Sequence, residues 1–463
     1  MNHHTILITL LALCHAVAGY AAPANLTRHL VDIQRTNAEA DEYSASFFAT
    51  AGDASLAVKS TATDLPITII VNGDHLDTQM ANPAGTISPL VLKAGAGNQI
   101  TVVLRGPNKG TAQVRITQQA DLDFQFTRYV TYAGNTFDFA RSVDFYAKLG
   151  WTTKRGGFPK TNTPEMGHAL GADGPYTMRD GALLILTYGN QPAWIDLLEW
   201  IDPRQDGPPY ANLNHLGMAH AAYVTTDLDA DYAHLKTQGV EFLSEPVGTP
   251  GERFGRFVFL KDLDGTFIQL IEVPNEPPPK PCDPKVDPAC PVTHLTRPHH
   301  ISVNVRDFVG AREYFRLLGF TESEPLPSVS TIAEANAMGF AAPIQIIGED
   351  IRVPADVIET GPAVAIRLQQ WLAPYDDAPA YPLPITHVGI HRLVMNSDAG
   401  DNTMATKVEM LRSQGIRLVS PGAPCCSGND SPGGLFLWEG PGGIFLETGG
   451  TIAPPAPATI APP

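Results

Sequence analysis

The sequence predicts an α+β protein: four copies of one βαβββ unit, preceded by a small all-β module. Three observations carry this. The first is one well-formed unit between Gly217 and Val273. His220 opens a strand-type run, and Asp227 stands as a helix N-cap, its oxygen accepting from the first free backbone N–H groups. Leu228, Tyr232 and Leu235 then fall at i, i+4 and i+7, one helical stripe. Gly239 follows as a left-handed stop, Asp264-Gly265 as a turn, and Phe267 to Val273 as a closing strand. The second is recurrence: Asp138 to Gly150, Asp227 to Gly239 and Asp307 to Gly319 each span 12 positions, and Asp398 to Gly415 spans 17. The third is an offset: seven residues before the four Asp stand Thr131, His220, His300 and His391. A repeat of roughly 70–90 residues implies stacked or paired modules.

Two stretches carry a family resemblance. His299–Phe320, HHISVNVRDFVGAREYFRLLGF, resembles the opening of a vicinal-oxygen-chelate module, the family of glyoxalases, bleomycin-resistance proteins and extradiol dioxygenases. Lys261–Val273, KDLDGTFIQLIEV, resembles a module end. The resemblance covers roughly 124–273 and 297–449. It implies that two modules pair to close an open barrel around one metal or ligand site. Consecutive modules are expected to pair, giving one barrel from 123–273 and a second from 297–450. It specifies fold more than reaction, because one fold hosts many chemistries.

Composition bounds the rest. A chain of 463 residues suits two to four domains. The net charge of −17 argues against nucleic-acid and anionic-membrane partners. Gly and Pro, 41 each, suit a loop-rich β architecture. Residues 1–21, with an apolar run Ile6–Leu13 and small residues after it, read as a secretory signal peptide, too short to span a bilayer. Export to the periplasm or the medium is expected. Residues 22–122 alternate in period 2, as in Ile67/Ile69/Val71 and Ile100/Val102/Leu104, and predict a β-sandwich. Residues 274–296 are a Pro-rich linker in which Cys282 and Cys290 are expected to form a disulfide. Cys425-Cys426 admit a vicinal disulfide, a soft-metal site or two thiols. Residues 451–463 form a Pro/Ala tail of disordered type.

The resemblance places metal ligands at the first residue of each module's opening strand and at one residue of its closing strand. In the second expected barrel these are His300, His391, Glu447 and Arg367, the last unable to ligate a metal. Two His and a carboxylate match the triad that leaves open positions on Fe(II), with Zn, Mn or Ni as alternatives. Arg367 is expected either to pair with Glu447 or to orient a substrate oxygen. The first expected barrel offers the weaker set Asp196, His220 and Gln269, with Thr131 in the fourth place. Along His300–Val305 the apolar residues 301, 303 and 305 share one face, so His300, Ser302 and Asn304 face the interior. Leu437 stands where ring-cleaving relatives carry a Tyr, which disfavours ordinary extradiol cleavage. The expected function is a metal-dependent dioxygenase or lyase acting on a small oxygen-rich or aromatic molecule. The alternatives are a metal-free small-molecule binder and a cell-surface scaffold.

Overall fold

The computed structural model describes residues 26–35, 42–49, 53–60, 67–76, 84–92, 95–104, 112–120, 130–156, 163–191, 193–204, 207–248, 255–287, 290–354, 364–376, 378–395, 404–413, 416–420, 422–424 and 433–451. The expected signal peptide, Asp398, Cys425, Cys426 and the tail beyond 451 lie outside these residues.

Eight N-terminal strands come first: β1 (Leu26–Arg35), β2 (Glu42–Ala49), β3 (Asp53–Ser60), β4 (Ile67–Val71), β5 (Asp74–His75), β6 (Ala84–Val91), β7 (Gly95–Leu104) and β8 (Ala112–Ala120). They form two four-stranded sheets, ordered β1-β8-β3-β6 and β2-β7-β4-β5. The alternating apolar residues supply one shared core, with Leu56, Val114 and Ile116 from the first sheet against Ile69, Ile100 and Val102 from the second.

Four βαβββ modules follow. Module 1 is β9 (Val130–Asn135), α1 (Phe139–Leu149), β10 (Thr153–Arg155), α2 (Pro164–Ala169), β11 (Thr177–Ile185) and β12 (Trp194–Asp202). Module 2 is β13 (Gly217–Thr225), α3 (Leu228–Thr237), β14 (Glu241–Phe242), β15 (Val247–Gly248), β16 (Arg256–Lys261) and β17 (Phe267–Glu272). Module 3 is β18 (Leu295–Asn304), α4 (Phe308–Leu317), β19 (Glu322–Pro325), α5 (Ile332–Ala337), β20 (Gln345–Arg352) and β21 (Ala365–Ala373). Module 4 is β22 (Gly389–Met395), α6 (Met404–Ser413), β23 (Ala423–Pro424), β24 (Gly433–Glu439) and β25 (Phe445–Thr451).

The helix punctuation works as the sequence implies. Asp138, Asp227 and Asp307 each accept a backbone N–H three residues on, at 3.0–3.1 Å. Gly150, Gly239 and Gly319 sit at φ +112°, +78° and +93°, where a Cβ would be strained. The fourth helix, α6, begins at Met404.

The pairing of modules differs from the expectation. One sheet runs β10-β11-β12-β9-β22-β25-β24-β23 and joins module 1 to module 4. The other runs β14-β16-β17-β13-β18-β21-β20-β19 and joins module 2 to module 3. Opening strands make both seams, β9 antiparallel to β22 and β13 antiparallel to β18. The linker therefore does not separate two barrels. It connects β17 and β18, which lie in one sheet on either side of β13, and it packs on module 1 through Lys280 N–H to Tyr188 O at 2.8 Å and Asn190 Nδ2 to Pro277 O at 3.0 Å. The Cys282–Cys290 disulfide is formed within it.

One large core draws on both sheets and on helices of all four modules, with Phe145, Leu235, Phe315 and Leu411 among its members. The remaining concave faces make two cups. In the 1–4 cup, Met166, Ala169 and Leu170 of the α2 region pack against Leu198, Trp200, Leu437 and Phe445. In the 2–3 cup, Ala335 and Ala337 of α5 pack among Phe257, Phe259, Phe267 and Trp371. Each cup is thus covered by a short helix capped by a threonine, Thr163 or Thr331.

Candidate functional site: two cups

Strand register identifies the equivalent places in the four modules. In the closing strands, Asp196 lies opposite Ala133, Gln269 opposite Ala222, Arg367 opposite Ser302 and Glu447 opposite Val394. Two residues before those partners, on the opening strands, stand Thr131, His220, His300 and Arg392. The fourth opening place is Arg392 and not His391. In β22 the register shifts between Ile390 and Arg392, so His391 occupies a bulge. The same bulge recurs in β13 between Met218 and His220. A one-residue slip sends a side chain to the opposite face, and counting back from Asp398 made that slip. The dependable anchor is the glycine three residues earlier, Gly217 or Gly389, at φ +107° and +105°.

The expected triad His300, His391 and Glu447 is therefore not assembled. His300 belongs to the 2–3 sheet, and the other two to the 1–4 sheet. The expected Fe(II) triad loses its carboxylate with it. Arg367 does not pair with Glu447 either. The weaker set splits as well, with Asp196 in the 1–4 cup and His220 and Gln269 in the 2–3 cup beside His300.

The 1–4 cup holds Thr131, Asp196, Arg392 and Glu447. Arg392 is 2% exposed. Its Nε donates to Glu447 Oε2, and its Nη2 donates to Asp196 Oδ2 at 3.3 Å. Thr131 donates to the Trp194 carbonyl. Burial pushes Asp196 up to about 7, the Arg392 charge working against that rise and the Glu447 charge with it. A guanidinium already lies between the two carboxylates, where the resemblance puts a cation. The set does not fit a metal.

The 2–3 cup holds His220, Gln269, His300 and Arg367. His220 Nε2 and His300 Nε2 are 3.1 Å apart. His300 Nδ1 is 2.8 Å from Nδ1 of His299. Burial holds His220 down at about 3, helped by the Arg367 charge and opposed by the Gln269 amide. His299 is likewise lowered to about 3, and His300 well below its usual range, by burial and then Arg367. All three imidazoles are neutral with lone pairs to offer. Gln269 Oε1 is buried and has no hydrogen-bond partner. Arg367 is clamped by Asp350 of β20, Nε to Oδ1 at 2.8 Å and Nη2 to Oδ2 at 3.0 Å. Ser302 donates to Gln369 Oε1 at 3.3 Å.

Two imidazole nitrogens bound to one ion at about 2.0–2.1 Å and near right angles lie about 3 Å apart. The His220–His300 spacing has that value, and the orphaned Gln269 oxygen adds a third donor. Distance and protonation therefore fit a borderline divalent cation, although all three donors are neutral. Among the described residues, no group of three or more His, Cys, Asp or Glu side chains is placed to share an ion. The 2–3 set reaches three donors only through the glutamine.

Sequence reasoning missed Arg392, Asp350 and His299. The glycine anchor identifies Arg392 and its neighbour His300 identifies His299, whereas Asp350 becomes visible only once β20 is laid beside β21.

Residues 129–270, β9 to β17, match the Glyoxalase/Bleomycin resistance protein/Dioxygenase superfamily. Solved structures similar to this chain include glyoxalase I from Zea mays, 13% identical over 70% of this chain and 92% of that one, TM-score 0.42. A putative dioxygenase from Bacillus subtilis is 12% identical over 70% and 86%, TM-score 0.43. A glyoxalase family protein from Bacillus cereus is 18% identical over 33% and 98%, TM-score 0.29. No curated protein matches the sequence significantly.

Proposed function

We propose that the 2–3 cup is the working site of a superfamily enzyme acting on a small oxygen-rich molecule, and that the 1–4 cup is its structural counterpart. The carrying observation is the facing pair His220 Nε2 and His300 Nε2, 3.1 Å apart, with Gln269 Oε1 unpartnered beside them. These three atoms would hold a divalent cation, Zn or Ni being better suited than Fe(II) once no carboxylate is in the set. Such an ion supplies Lewis-acid polarisation of substrate oxygens. Burial keeps the histidines neutral, helped by the charge of Arg367, which is fixed by Asp350 and attracts an anionic or enolic oxygen. The aromatic wall of Phe257, Phe259 and Trp371 shapes the apolar side. His220 and His300 are 3% and 1% exposed, so substrate entry requires the cup to open. The formed disulfide supports the inference that the chain is exported.

The test is calorimetric titration with Zn(II) and Ni(II), and with Fe(II) under nitrogen. One equivalent per chain is expected, lost in His220→Ala and in His300→Ala and kept in Glu447→Gln. Circular dichroism checks that the variants fold. One observation favours a second reading. Arg367 occupies the fourth place, as a cation would in a metal-free binder. Absence of binding by the wild type for all three ions would establish that reading over the first.

A further inference from the structure

His299 occupies none of the four equivalent places of the 2–3 cup, yet it reaches the site. Along β18 the register steps from His300 opposite Ala222 to Pro298 opposite Tyr223, so His299 is the extra residue of a bulge. A regular strand sends neighbouring side chains to opposite faces, and a bulge re-aims one of them. Here two adjacent imidazoles meet. His299 Nδ1 and His300 Nδ1 are 2.8 Å apart, with the ring planes at 85°. Both side chains are buried, the residues 8% and 1% exposed.

The contact has a chemical consequence. His300 meets an imidazole nitrogen at each end, His299 Nδ1 at one and His220 Nε2, 3.1 Å away, at the other. Burial, with Arg367 close by, keeps His300 uncharged, and a neutral imidazole has one N–H and one lone pair. The tautomer therefore decides what His300 offers. With its proton on Nδ1, it donates to His299 and turns the Nε2 lone pair into the cup. With its proton on Nε2, it donates to His220 and offers the cup no lone pair. A carboxylate or carbonyl partner would only accept and would settle the choice. An imidazole partner accepts or donates, so the three rings choose together.

The far end of the chain decides between the two directions. His220 Nδ1 is buried and has no hydrogen-bond partner. When His220 donates to His300 and His300 to His299, only a lone pair is left idle at that atom. When the chain runs the other way, His220 must carry an N–H there. A buried N–H without an acceptor is the rarer and costlier arrangement.

We propose that His299 is a positioning residue of the 2–3 cup: it accepts the His300 Nδ1 proton and so fixes the tautomer in which His300 presents its Nε2 lone pair to an occupant. This deepens the reading of the 2–3 cup as the working site and rests on it. An incoming cation then requires a proton shift in His220 alone, from Nε2 to Nδ1, and no proton is gained or lost.

The test is proton–nitrogen correlation NMR of the full chain carrying isotope-labelled histidine, beside calorimetric titration with Zn(II). The His300 signals are those lost in His300→Ala. In the metal-free wild type, His300 should be protonated at Nδ1 and bare at Nε2. His299→Phe should move that proton to Nε2, where His220 is the remaining partner, and weaken Zn(II) binding by about 10–100-fold. His299→Asn, whose side-chain carbonyl can accept in place of Nδ1, should restore the tautomer and most of the affinity. His300 protonated at Nε2 in the wild type overturns the proposal. So does an unchanged His300 tautomer in His299→Phe, whatever happens to affinity, because His299 would then act by packing alone. A wild type that binds no Zn(II) counts against the metal reading of the cup, and the NMR result still decides the part played by His299.

Discussion

The two cups share one backbone plan, and each has an arginine at one of four equivalent places, yet the arginines act in opposite ways. Arg392, on an opening strand, takes its counter-ions from the site itself, Glu447 and Asp196. The carboxylates that could face a cation are consumed by an internal one. Arg367, on a closing strand, takes its counter-ion from outside the site, Asp350 of the neighbouring strand. The donors His220, His300 and Gln269 are thereby left facing one another. What decides whether a cup remains a site is therefore where its buried charge is neutralised.

The largest effect should come from removing the internal cation. Arg392→Ala leaves Asp196 and Glu447 buried without a partner and should cost about 4 kcal/mol in urea denaturation. Arg392→His breaks the comparison more sharply, because it adds an imidazole beside two carboxylates. Its melting temperature should rise on adding Zn(II), by an amount that Glu447→Gln abolishes in the double variant. A variant whose stability ignores Zn(II) would show that the 1–4 backbone no longer has the geometry of a cation site.

Next in size is the outside counter-ion. Asp350→Asn frees an unbalanced charge next to His220 and His300 and should cost about 3 kcal/mol. It should also weaken metal binding in the 2–3 cup by roughly 10–100-fold, the usual scale for a partner one step from the ligands. Unchanged affinity in calorimetry would remove Asp350 and Arg367 from any part in the site.

How far the cups were legible in the sequence follows from these residues. Asp138, Asp227 and Asp307, each with a glycine twelve positions on, marked three helices through local capping chemistry that a sequence displays directly. All four closing-strand places, Asp196, Gln269, Arg367 and Glu447, were named too, through the family resemblance, which implies one site residue in the last strand of each unit. Arg392 was not, because the distance from strand to helix in module 4 differs from the others and a bulge is invisible in a pattern. Module pairing was not legible either. It depends on which strand edges meet, β9 with β22 and β13 with β18, and the proline-rich 274–296 segment resembled a boundary between barrels. Asp350 is 17 residues from Arg367, and only the antiparallel register brings them together.

pH should separate the cups by sign. Asp196 titrates near 3.8 when unfolded and about 7 when folded. Its contribution is complete below 3.8 and is lost as pH rises through 7. His299 goes the other way, 6.5 unfolded and about 3 folded, so its contribution is complete above 6.5 and is lost as pH falls toward 3. Each arm has a slope of at most about 1.4 kcal/mol per pH unit. Relative to wild type, Asp196→Asn should therefore gain stability between pH 5 and pH 8, and His299→Asn should lose it over the same interval. Urea midpoints at the two pH values check both, and a shared direction would refute the opposition.

The smallest effect concerns the covers. Thr331 caps α5 in a full capping box, accepting from Glu334 N–H at 3.2 Å while Glu334 Oε2 accepts from Thr331 N–H at 2.7 Å. Thr163 caps α2 through the Met166 N–H at 3.2 Å. Thr331→Ala and Thr163→Ala should each cost about 1 kcal/mol. If the 2–3 cup is the one that opens, the two losses have different consequences. Weakening α5 should speed amide exchange along β13 and β18 and speed metal entry, because α5 packs among the aromatic side chains of the 2–3 cup. Weakening α2 should speed exchange only over its own turns, since Arg392 and its carboxylates hold the 1–4 cup closed from within. Equal exchange responses in hydrogen–deuterium mass spectrometry would mean that both helices are static walls, and that access to His220 and His300 must come from another side of the cup.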